Sequence, residues 1–87
     1  MTVVVTDVSR QKRARIKDLS PDTTVLEFLE EIVGRLELPR TDPSGRPQVY
    51  QVLVEREGRH LQGDERLGDV LKEDDLLILH PNIEAGI

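Results

Sequence analysis

The chain has 87 residues, with 12 Lys+Arg against 17 Asp+Glu for a net charge of −5, 37% hydrophobic residues and no cysteine. That length supports one hydrophobic core and excludes two packed domains, while the missing cysteine excludes disulfide scaffolds, thiolate metal sites and cysteine nucleophiles. The aromatic residues are Phe28 and Tyr50 alone, which together with the acidic balance speaks against nucleic-acid binding on stacking platforms.

Thr2–Val8 reads TVVVTDV, a short β-branched run that suits a buried strand. Arg13–Leu19 reads RARIKDL, with Ala14 and Ile16 alternating with Arg13, Arg15 and Lys17. Alternation of period two marks a half-buried strand, and the short polar link between the two runs predicts a hairpin. Ser20-Pro21 then breaks the pattern. Thr24 and Glu27 have capping-box spacing. Val25, Phe28, Leu29, Ile32, Val33 and Leu36 recur at helical spacing, so a helix is expected from about residue 25 to about 36. Pro39–Pro47, with three prolines and a glycine, is a loop. Gln48–Glu55 is a third strand with Val49, Val52 and Val54 facing the core, Arg59–Leu61 a short fourth, and Leu76–His80 a last one. The expected core is Val3, Val5, Ile16, Val25, Leu29, Ile32, Val52, Val54, Leu61, Leu67, Leu76 and Ile78. Residues 1–80 form the domain in this reading, and residues 81–87, PNIEAGI, are a tail without periodicity.

Candidate chemistry is sparse. His60 and His80 are 20 positions apart with no accompanying ligand motif, so neither a metal site nor a cofactor is expected. Ser9, Ser20 and Ser44 have no nearby His–Asp arrangement, and no glycine-rich phosphate loop occurs. No enzymatic activity is expected. Arg10, Lys12, Arg13, Arg15 and Lys17 concentrate positive charge in one hairpin, which could meet an acidic partner or serve as a solvated face. No window approaches 18 apolar residues, so no membrane insertion is expected. Met1–Arg10 places apolar before basic residues, the reverse of a signal peptide. A cytoplasmic protein is the expectation.

The element order resembles the ubiquitin-like, β-grasp family. The carriers are Leu19–Val25 entering the helix, Gly58-Arg59-His60-Leu61, Leu67-Gly68-Asp69, and Asp74-Asp75-Leu76 opening the last strand. The resemblance implies an α+β fold, with a mixed sheet of four to five strands packed on one helix. It implies function at two places, the carboxyl-terminal tail and the exposed sheet face. Ubiquitin-like modifiers end in Gly-Gly, and the matching pair here is Ala85-Gly86, followed by Ile87. By resemblance, Ile87 would be trimmed from a precursor and Gly86 would be activated and joined to targets. The implied partners are activating and conjugating enzymes, a deconjugating protease and protein targets. On the sheet face, aligning Gly58 and Leu61 with ubiquitin puts Glu55 at the centre of the receptor patch, beside Arg56 and Glu57, so ubiquitin's own receptors are not expected to bind. Arg13, Arg15, Lys17, Glu55, Arg56 and His80 are the candidate partner-binding residues. A non-conjugated interaction module of the YukD type, associated with bacterial type VII secretion, is the alternative, since Leu76–Pro81 resembles the ending of such domains. A sulfur carrier ranks third, because the Gly-Gly end is missing.

Overall fold

A computed structural model of the chain describes residues 1–81. Its elements are β1 (Val3–Asp7), β2 (Arg13–Ile16), α1 (Val25–Arg35), β3 (Tyr50–Val54), β4 (Arg59–His60), α2 (Leu67–Val70) and β5 (Asp75–Pro81). The strands form one sheet in the order β2-β1-β5-β3-β4. β1 runs parallel to β5, and the other neighbours are antiparallel, so the sheet is mixed. β5, the last strand among the described residues, lies between β1 and β3.

α1 starts where the sequence predicts. The Thr24 hydroxyl accepts from the Glu27 N–H at 3.2 Å, and the Glu27 carboxylate accepts from the Thr24 N–H at 3.1 Å. These two bonds satisfy donors that a helix start leaves free. They also hold the Glu27 carboxyl below its usual range, the bond from the Thr24 backbone contributing most. α1 buries Val25, Phe28, Ile32 and Val33 against the inner face of the sheet. That face supplies Val3, Val5, Ile16, Val52, Val54, Leu77 and Leu79, and Leu61, Leu67 and Leu71 close the end of the core.

Three expectations about the core are corrected. Leu76 and Ile78 are only half-buried, and Leu77 and Leu79 are fully buried in their place. The register explains this. Leu77 stands beside Val5 and Val54, both inward-facing, so its neighbours in sequence face outward. Leu29 is half-buried at the edge of the core. Val49 precedes β3 and is 57% exposed.

The short connections are held by specific contacts. α2 docks through Gly68, whose N–H donates to the Pro21 carbonyl at 2.9 Å. A Cβ added at Gly68 would lie 2.4 Å from the Pro21 Cβ, so this approach requires glycine. Val25 and Leu26 donate to the carbonyls of Glu65 and Gly63, tying the 62–66 connection to the start of α1. No helix among the described residues is long and apolar enough to cross a membrane.

Candidate functional site

The alternation of β3 and β5 aims a second set of side chains away from α1. Leu53 on β3 stands opposite Ile78 on β5 and opposite His60 on β4. Val4 on β1 stands beside Leu76 and opposite Arg15, and Thr6 stands beside Ile78 and opposite Arg13. The outer face of the sheet is therefore built in bands. Arg13 and Arg15 line the β2 edge, Val4, Leu76, Ile78 and Leu53 form a half-buried apolar middle, and His60 and His80 lie toward the β4 edge.

Of the partner-binding residues expected from the sequence, the fold brings Arg13, Arg15 and His80 onto this one face. Arg15 makes an exposed ion pair with Asp74 at 3.4 Å, an interaction worth little in water and readily exchanged for a partner. Lys17 lies past the end of β2, exposed.

Glu55 is not at the centre of the outer face. It lies in the turn after β3, where its N–H donates to the Leu76 carbonyl at 3.1 Å. Leu53, two residues earlier, takes the central position. Counting back from Gly58 misplaces the centre because the residues between Val54 and Arg59 form a four-residue turn. The apolar centre inferred to be missing is thus present. Glu55 instead forms an exposed pair with Arg10 at 3.5 Å.

Arg56 is engaged within the fold. Its Nε and Nη2 donate to the two carboxylate oxygens of Asp75 at 2.9 and 3.0 Å. Asp75 is 6% exposed. The guanidinium, followed by the Lys72 N–H, holds the Asp75 carboxyl below its usual range against the opposing effect of burial.

The two histidines meet. The strands carrying them, β4 and β5, are separated by β3. Both side chains share the outer face, and their Nε2 atoms come within 2.7 Å. The rings meet edge to face, centroids 4.8 Å apart. Spacing in sequence carries no sign of this, because the contact depends on the strand order. Among the described residues, no group of three or more His, Cys, Asp or Glu is placed to hold a metal.

At the far end of β5, a cleft of about 410 Å³ opens beside Pro81, lined mainly by apolar atoms of Val8, Leu38, Pro39, Tyr50 and Leu79. The Tyr50 hydroxyl donates to the Pro39 carbonyl at 2.8 Å and pins the loop over this end. Burial, and secondarily the Asp7 carboxylate, pushes the Tyr50 phenol up. The tail residues Ala85, Gly86 and Ile87 lie outside the described residues.

No protein-family model and no curated protein matches the chain. Among solved structures, SAMP1 from Haloferax volcanii aligns with a TM-score of 0.57 at 22% sequence identity, covering 99% of this chain and 100% of that one. A likeness at that identity is one of fold. With the mixed five-stranded sheet packed on α1, it identifies the fold of this chain as the ubiquitin-like β-grasp.

Proposed function

We propose that the chain is a ubiquitin-like protein modifier, joined to its targets through the carboxylate of Gly86 once Ile87 is removed. The observation that carries the reading is the placement of β5. This strand closes the sheet between β1 and β3 and ends at Pro81, and Ala85-Gly86 follows it in sequence. A sheet already completed upstream of Gly86 does not have to open for the terminal carboxylate to enter another protein's site. The likeness to SAMP1 along the chain supports the same reading.

The chemistry belongs to partner enzymes. The Gly86 carboxylate attacks the α-phosphate of ATP and pyrophosphate leaves. A cysteine thiolate of the partner displaces AMP to give a thioester. A target amine displaces the thiolate and forms an amide, releasing a proton. This chain supplies the carboxylate and the recognition surface. Gly86 leaves the reacting carbonyl unobstructed, whereas the β-branched Ile87 would crowd it. In cells carrying the partner enzymes, Gly86→Val abolishes conjugates without altering stability. Deleting Ile87 restores them when the trimming protease is removed. Conjugates that persist in Gly86→Val contradict the proposal.

A second reading, a non-conjugated interaction module of the YukD type, is favoured by the outer face with Leu53, Leu76 and Ile78 at its centre. Under that reading Ile78→Glu abolishes partner capture while Gly86→Val does not.

A further inference from the structure

His60 and His80 are joined in space by the sheet and by nothing in the sequence. Each imidazole leans across the outer face of β3, His60 from beside Leu53 and His80 from beside Gln51. Their Nε2 atoms face each other at 2.7 Å. In neutral rings one Nε2–H donates and the other Nε2 accepts. If each ring carries its hydrogen on Nδ1 instead, both Nε2 lone pairs are free.

We propose that His60 and His80 form a two-imidazole chelate for a Cu²⁺ or Ni²⁺ ion on the outer face of the sheet. The separation is close to what two ligands of one ion need. With metal–nitrogen bonds of about 2.0–2.1 Å, two neighbouring positions of a square or octahedral ion lie about 2.9 Å apart, and two positions of a tetrahedral ion about 3.3 Å apart. At 2.7 Å the two Nε2 atoms now meet nearly head-on, and turning both rings toward one point brings them to a shared ion. Imidazole is a favoured ligand of both ions, and Cu²⁺ binds most tightly in the divalent series. Among the described residues no further ligand is placed to complete a set, so the two imidazoles carry the proposal. The strands supply the preorganisation. Strand pairing sets the backbone of His60 opposite Leu53 and of His80 opposite Gln51, so only the ring torsions remain to be ordered on chelation.

The test is a titration of the untagged 87-residue chain with CuCl₂, read by calorimetry and by broadening of amide NMR signals. One ion is expected per chain, with broadening centred on residues 51, 53, 60, 78 and 80. His60→Asn and His80→Asn each weaken binding at least ~10-fold, because loss of either ring removes the effective concentration it provides. Both single variants binding as tightly as the parent overturns the proposal. The parent's own spectrum decides it without any variant, since broadening centred on the amino terminus or on the acidic surface also overturns it.

Discussion

Asp75 accepts both prongs of the Arg56 guanidinium, at 2.9 and 3.0 Å, and also the Lys72 N–H at 2.7 Å. One carboxylate thereby locks the turn after β3 to the start of β5. Its folded form holds a proton less readily than the unfolded chain, because Arg56 and Lys72 stabilise the anion. The resulting stability is fully present above the ordinary Asp value, about 3.9, and is lost as pH falls through the lower folded value. Asp75→Ala is expected to cost about 1–3 kcal/mol at pH 7. Asp75→Asn should flatten the acid limb of the thermal midpoint below about pH 4. An unchanged acid limb contradicts this role.

The two faces of β5 should respond differently to truncation. Leu77→Ala removes a fully buried side chain and is expected to cost about 2–5 kcal/mol, as is Ile32→Ala in α1. Leu76→Ala, on the half-buried outer face, should cost under about 1.5 kcal/mol, since it leaves no enclosed cavity. Denaturant midpoints of the three variants check the order. Equal costs for Leu76→Ala and Leu77→Ala would mean that the register of β5 is shifted by one residue.

Gly68→Ala tests the docking of α2. The added methyl meets Pro21 at 2.4 Å, and the Pro21 carbonyl oxygen lies at 3.0 Å. Backbone must shift to admit it, so a loss of about 1–3 kcal/mol is expected. Gly45→Ala meets no atom within 4 Å and carries only the strain of its φ of +88°. It is expected to cost about 1–2 kcal/mol. Thermal midpoints of the two variants check both losses. A Gly68→Ala protein as stable as the parent contradicts the packing described.

The sequence made α1 legible because cap, period and stop agree there: Thr24 with Glu27, then Val25, Phe28, Ile32 and Val33, and the chain turning off before Pro39. β1 and β2 were legible through β-branching and alternation. The facing of β5 was not, because Leu76–Leu79 is apolar at every position and hides its parity. Asp75 added to the ambiguity, since a charged residue at the parity of Leu77 and Leu79 reads as outward until its buried Arg56 partner is known; the better signal was His80, polar and at the parity of Leu76 and Ile78. Glu55 was misplaced for a related reason. Strand ends cannot be counted from a turn of unknown length, and the outward position belongs to Leu53. The His60–His80 contact was beyond sequence reasoning, since it requires β3 to lie between β4 and β5 and both rings to share one face.

The proposed role of Gly86 as the joining carboxylate is checked by the intact mass of the protein from cells with its native neighbours. A free form shorter by Ile87 is expected, accompanied by target adducts whose linkage peptide ends in Ala85-Gly86 joined to a target amine. Recovery of only the free 87-residue chain, with Ile87 retained while the conjugating pathway is active, would contradict it.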